Sequence, residues 1–172
     1  KSRLKNPKFI YRYPWKIIEN FLEKKDNKCI LGDVGCANAE FFDFLKNQNA
    51  KISQLVGLDI TDDFLKVARE YFANETDVVF KCVDILKDPI NIIGNFDIVT
   101  CIGTFPIFHE PKEILEKLIE ITKDNGLLVI EGYFNKEDVS IITKYRDDST
   151  KTGEGIWRVG KNMFSEKLLT KI

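Results

Sequence analysis

Lys28-Cys-Ile-Leu-Gly-Asp-Val-Gly-Cys-Ala-Asn-Ala39 is a short apolar run, broken by glycine, that opens into a string of small residues. The run at 28–32 has the length and composition of a strand. The small residues after it form a turn through which backbone can approach another group closely. Directly behind, Ala37 to Lys46 carries Phe41, Phe42, Phe44 and Leu45 at helical spacing. A strand, a tight turn and a helix make half of a βαβ unit.

The alternation continues outward. Gln54 to Asp59 reads as a second strand, and Thr61 stands where it can cap a helix burying Phe64, Leu65, Val67, Ala68, Tyr71 and Phe72. Val78 to Cys82 is β-branched and aromatic, which predicts a third strand, and Phe96 to Ile102 predicts a fourth. Pro111 opens a helix with Ile114, Leu115, Leu118, Ile119 and Ile121 on one face. Asn125-Gly126 ends that helix, and Leu127 to Ile130 is a fifth strand. Ahead of the core, Pro14 to Leu22 has an amphipathic helical pattern. Strands alternating with helices of ~10–15 residues predict a parallel sheet covered on both faces. Right-handed crossovers make it a doubly wound, three-layer αβα sandwich. Ligands of such sheets bind beyond the carboxyl ends of the strands, where the strand order reverses.

Composition narrows the function. The chain has 172 residues, 44 % of them hydrophobic, which is enough for one sizeable core. It reads as a single domain: an N-terminal helical cap over 1–24, a core over 28–132, and a substrate-side segment over 133–172. A net charge of -1 gives no global attraction for a phosphate backbone, which argues against bulk nucleic-acid binding. No apolar run approaches the ~20 residues that span a bilayer. Residues 1–13 are polar and basic with no apolar centre, so no signal peptide is expected. Cys29, Cys36, Cys82 and Cys101 form no C-x-x-C pair and the chain has one histidine, which argues against zinc. Buried free thiols and a cytoplasmic location are the expectation.

Three strand ends carry the chemistry. The Gly32–Ala39 turn is a backbone cradle at a helix N-terminus, suited to negative charge. Asp59, about 20 residues past that turn, is placed to take both hydroxyls of a ribose. Asp84 can accept from an exocyclic amine while apolar Ile85 covers a purine face. Cradle, ribose hook and adenine reader describe an adenosine site.

These residues carry a family resemblance over about 28–132. Gly32-Asp-Val-Gly-Cys-Ala-Asn-Ala39 resembles the glycine-rich first motif of class I S-adenosylmethionine-dependent methyltransferases, with Ala37 and Ala39 in place of the second and third glycines. Val56-Gly-Leu-Asp-Ile60 resembles the family's second strand with its ribose-binding acid, and Cys82-Val-Asp-Ile85 its adenine-contacting motif. Phe96 to Phe105 is similar to the fourth strand and Lys123 to Ile130 to the fifth-strand entry, with Asn125 replacing one glycine. The resemblance implies a Rossmann-like fold, S-adenosyl-L-methionine as cofactor and S-adenosyl-L-homocysteine as product. It also implies that Asp33, Gly35, Cys36, Ala37, Asp59, Ile60, Asp84, Ile85 and Ile102 bind that cofactor. Ala37 and Ala39 are neutral for affinity only where φ is negative.

Further candidates lie around this core. Arg12, in Tyr11-Arg-Tyr-Pro-Trp15, has the bidentate fork that suits a methionyl carboxylate. His109, in Thr104-Phe-Pro-Ile-Phe-His-Glu-Pro111, is the candidate general base. Tyr13, Phe105, Tyr133 and Trp157 are substrate-pocket candidates, the last on a short flap strand in Gly155 to Gly160. Asp147 to Gly155 reads as a mobile loop. In the family, the helix predicted over Phe164 to Ile172 is followed by two more strands, and the expectation for residues 1–172 is a sheet without them. That leaves five parallel strands and an open edge at strand five where a homodimer can form.

The fourth strand is followed by Ile-Gly-Thr-Phe-Pro-Ile rather than an Asn- or Asp-Pro-Pro-aromatic tetrad, and Cys101 lies within a strand. Both features lower the expectation of base methylation and favour a small-molecule acceptor. Two alternatives stand: an NAD(P)-dependent oxidoreductase, whose Gly-x-Gly-x-x-Gly is not matched here, and a non-catalytic S-adenosylmethionine-binding module.

Overall fold

A computed structural model of the chain describes residues 9–48, 51–149 and 155–170. Its centre is a five-stranded parallel sheet of β1 (Cys29–Val34), β2 (Ile52–Asp59), β3 (Val78–Cys82), β4 (Phe96–Ile102) and β5 (Thr122–Glu131), in the order β3-β2-β1-β4-β5. The order reverses between β1 and β4, whose register pairs Asp33 with Thr100. This is the expected doubly wound αβα architecture.

The period of the strands explains the layers. Leu31, Leu55, Ile98 and Val129 face one side, where they pack with Ile18 and Leu22 of α1 (Arg12–Glu23), Phe41, Phe42 and Leu45 of α2 (Glu40–Lys46), and Ala68 of α3 (Asp62–Tyr71). Val34, Val56, Leu58, Val99 and Cys101 face the other side, against Ile93 of α4 (Ile90–Ile93) and Ile114, Leu115 and Leu118 of α5 (Pro111–Glu120). Each fully buried side chain of Leu or Phe size contributes roughly 1.5–3 kcal/mol of transfer free energy.

Past the core, β6 (Tyr133–Asn135) pairs in parallel with β9 (Met163–Ser165), and β7 (Lys144–Asp147) pairs antiparallel with β8 (Ile156–Val159). The chain then enters α6 (Glu166–Leu169). Phe164 of β9 is buried against Phe105, so this segment covers one sheet face. Among the described residues, no helix is long and apolar enough to cross a membrane.

Several local expectations need correction. The first core helix begins at Glu40 rather than Ala37, because Ala37 (φ 48°) and Ala39 (φ 60°) lie in the left-handed region. On α3 only Leu65 and Ala68 turn inward; Phe64, Val67 and Tyr71 are about half exposed, since one helical face reaches the sheet. Thr61 takes the N-cap position without a side-chain hydrogen bond. Ile119 is likewise exposed on α5. Asn125-Gly126 does not end a helix. It lies within β5, where the pairing with β4 shifts register and Asn125 adopts φ 57°. Phe164 is in a strand, and the last helix starts two residues later. Cys82 is exposed, unlike the other three thiols. Of the loop expected at Asp147 to Gly155, residues 150–154 lie outside the described residues.

An alanine held in the left-handed region costs about 1 kcal/mol relative to glycine. Ala39→Gly, and separately Ala37→Gly, are therefore expected to raise unfolding stability by about 0.5–1 kcal/mol, read as a higher urea midpoint at constant m.

Candidate functional site

The chain leaves β1 through Gly35 (φ 74°), and this turn shapes what lies above the sheet. A Cβ at Gly35 would run into the Thr104 side chain, whose hydroxyl donates to the Gly35 carbonyl at 3.3 Å. Gly35, Ala37 and Thr104 border two cavities, one on each side of the turn.

The first cavity, about 290 Å³, sits beyond the ends of β1, β2 and β3. Asp59 closes β2 and is held at both oxygens. Oδ2 accepts the Ala37 N–H at 2.9 Å and Oδ1 accepts the Thr61 N–H at 2.8 Å. Each oxygen keeps a second lone pair for a hydroxyl donor. Asp84 follows β3; its Oδ1 accepts the Leu86 N–H at 3.1 Å and its Oδ2 pairs with Lys87 at 2.9 Å. That ammonium holds the Asp84 carboxyl below its ordinary range. Leu58, Val83 and buried Ile85 give the floor, with Ile60, Phe64, Ile107 and Phe108 around them. The result is an apolar slot with two carboxylates on its wall.

The second cavity, about 390 Å³, opens where the strand order reverses. Asp33 of β1 is buried there, and the Thr100 hydroxyl of β4 donates to its Oδ1 at 2.6 Å. Burial pushes the Asp33 carboxyl up to about 7; the Thr100 hydrogen bond opposes this and the nearby Asp59 charge adds to it. Glu40, in the first turn of α2, is also buried and faces the Tyr11 hydroxyl at 3.5 Å. Burial, then the Glu40 and Asp33 charges, push the Tyr11 phenol up. Burial likewise raises the Cys36 and Cys101 thiols, which keeps them protonated and unreactive. Ile102, Gly103, Thr104 and Lys161 complete the lining.

The structure brings together most of the residues expected at the site. Gly35, Ala37, Asp59, Ile60, Asp84 and Ile85 border the first cavity, and Asp33, Cys36 and Ile102 the second. Arg12 does not join them. It lies on the exposed face of α1 with its guanidinium 5.2 Å from the Phe9 ring centroid, because the helix turns the preceding Tyr11 inward instead. Tyr13 shares that exposed face. His109 is half exposed, pairs with Glu110 at 3.6 Å and borders neither cavity, since the loop after β4 turns Thr104 and Phe108 inward. Phe105 is fully buried between Phe134 and Phe164, a core residue rather than a pocket wall. Trp157 lies on β8 as expected but is 66 % exposed, and Tyr133 is exposed beside Lys161. Sequence reasoning missed Glu40, Thr100, Thr104 and Lys161. An acid at the start of an otherwise aromatic helix was a readable signal for Glu40; nothing local marked the other three.

Comparison with known proteins agrees with this geometry. Residues 33–128 match the family described as methyltransferase domain, which is more than half of the chain. A carboxy-S-adenosyl-L-methionine synthase of Helicobacter pylori (strain HPAG1) is 27 % identical over 125 residues, covering 71 % of this chain and 51 % of that protein. A malonyl-[acyl-carrier protein] O-methyltransferase of Acetivibrio thermocellus is 29 % identical over 112 residues, covering 65 % of this chain and 38 % of that protein. The chain spans about half the length of the curated relatives it matches or less. An S-adenosylmethionine-dependent methyltransferase from Clostridium acetobutylicum superimposes with a TM-score of 0.66 at 14 % identity, covering 97 % of this chain and 79 % of that one. An amino pentose methyltransferase from Micromonospora echinaspora gives 0.65 at 14 % identity, covering 96 % and 81 %. With a matching sequence family and a matching five-stranded core, the chain belongs to the Rossmann-like S-adenosylmethionine-dependent methyltransferases.

Proposed function

We propose that this chain binds S-adenosyl-L-methionine and catalyses transfer of its methyl group to a small-molecule acceptor. The observation that carries this reading is the Asp59 carboxylate, tied to the Ala37 and Thr61 amides with a lone pair left on each oxygen, on the wall of a largely apolar slot of about 290 Å³. The residues fit the cofactor on a further count: buried Asp33 and Glu40 line the second cavity, where they supply acidic groups for the ammonium of the methionyl tail. When bound, the cofactor supplies a methyl on a sulfonium that a nucleophile displaces in line, with S-adenosyl-L-homocysteine leaving.

The chain's own contribution is alignment and exclusion of water. Asp59 orients the ribose and Ile85 covers the purine face. Asp84 accepts from the exocyclic amine. Thr104, just after β4, borders both cavities, Gly103 borders the second, and together they bound the space in which donor and acceptor meet. No base is assigned, because His109 borders neither cavity. The free, buried thiols Cys29, Cys36 and Cys101 support a reducing, cytoplasmic setting. The edge of β5 away from β4 is where a second copy would add in a homodimer.

Calorimetric titration with S-adenosyl-L-homocysteine tests the reading. Micromolar binding is expected, weakened at least about a hundredfold by Asp59→Ala, since two hydroxyl hydrogen bonds to a charged acceptor are lost. Binding left intact by Asp59→Ala would sink the ribose assignment, and tighter binding of NAD would move the chain to the oxidoreductases.

Asp33 gives a pH signature of opposite sign for binding and for folding. Its carboxyl rises from 3.8 to about 7 on folding, so its stabilising contribution is complete below the unfolded value and lost as pH rises through 7. Asp33→Asn is expected to raise the melting temperature of the ligand-free protein at pH 8, with the gap closing towards pH 4. Ligand affinity should run the other way, strengthening severalfold from pH 6 to 8 in the parent protein and staying flat in Asp33→Asn.

A further inference from the structure

The second cavity has acids on its floor and a single cation: among the described residues that line it, Lys161 is the one lysine or arginine. Lys161 comes from the segment after β8, outside residues 33–128, and stands on a fixed stretch of backbone. Before it, the Gly160 N–H donates to the Thr143 carbonyl at 2.7 Å. After it, Asn162 is fully buried and bonded three times. Its backbone N–H donates to the Pro106 carbonyl and its Nδ2 to the Phe108 carbonyl, both at 2.8 Å, while its Oδ1 accepts the Thr143 N–H at 2.9 Å. The Lys161 backbone is thus pinned on both sides, with the ammonium 5.9 Å from the Tyr133 ring centroid. No ion pair with a described carboxylate claims it.

An α-amino acid tail is a zwitterion. A cavity that holds one needs negative charge for the ammonium and a positive donor for the carboxylate. Asp33 and Glu40 meet the first need, and Lys161 is the one lining residue that meets the second. Arg12, which the sequence offered for this role, rests on Phe9 outside the cavity. We propose that Lys161 binds the α-carboxylate of the methionyl tail and sets the chain's preference for a carboxylated ligand. The proposal rests on the S-adenosylmethionine reading.

The test is a pair of calorimetric titrations, with S-adenosyl-L-homocysteine and with 5′-deoxy-5′-(3-aminopropylthio)adenosine, the same molecule without the carboxylate. Lys161→Ala is expected to weaken the first about tenfold and to change the second less than about twofold, as loss of one charge-assisted contact predicts. Lys161→Arg should restore most of the discrimination. Lys144→Ala, which removes an exposed charge on β7, should leave both affinities unchanged. An equal loss for both ligands, or unchanged S-adenosyl-L-homocysteine binding in Lys161→Ala, overturns the assignment. If the parent protein binds neither compound, the cofactor reading itself falls.

Discussion

The structure turns on one buried contact, the 2.6 Å hydrogen bond from the Thr100 hydroxyl to Asp33. It crosses from β1 to β4, the two strands between which the sheet reverses its order. A carboxylate taken out of water here is costly to ionise, and a single neutral donor does not offset that cost. The fold tolerates it because the cavity above is the one place in a doubly wound sheet where strand ends diverge and a ligand can supply the missing positive charge. A cationic group bound beside Asp33 would favour its charged form and so oppose the effect of burial.

Around that contact the turn after β1 is built under strain and held from outside. Gly35, Ala37 and Ala39 all take positive φ, and only the first is glycine. Left-handed alanines persist only where neighbours over-determine the backbone. Here the Asp59 carboxylate fixes the Ala37 amide, and the Ala39 amide donates to the Cys36 carbonyl at 2.8 Å. The same carboxylate holds the Thr61 amide at the start of α3. One side chain thus locks the ends of β1 and β2 into a common rim. The glycines absent from this turn are compensated by contacts rather than by conformational freedom.

Much of this was legible in the sequence because it is periodic or local. The strands of the core announce themselves as apolar runs, and the acids at 33, 59 and 84 stand in or just after those runs. What failed to show was direction. Arg12 and Tyr11 are adjacent, and only the path of α1 decides that the tyrosine faces the cavity. Asn125-Gly126 has the composition of a helix stop, yet the chain passes through it in a bulged strand, because pairing with β4 outweighs local turn preference. Lys161 has no motif at all. Its place depends on Asn162, fifty-four residues from the carbonyl it binds at Phe108, and contacts of that reach leave no trace in local pattern.

Asn162 also explains why the segment after the core is more than a cover. Pro106 and Phe108, which it binds, belong to the loop that carries Thr104 to the border of both cavities and sets Ile107 and Phe108 in the wall of the first. Thr143, its third partner, belongs to the segment leading into the β7–β8 hairpin. A buried amide with both ends satisfied leaves little slack, since breaking any one bond strands a polar group away from water. The loop after β4 and the strand bearing Lys161 must therefore keep their relative positions, and with them the two cavities. The glycine turn and Asp59 build the rim of the site from the family core; Asn162 fixes the opposite wall from residues that lie outside that core.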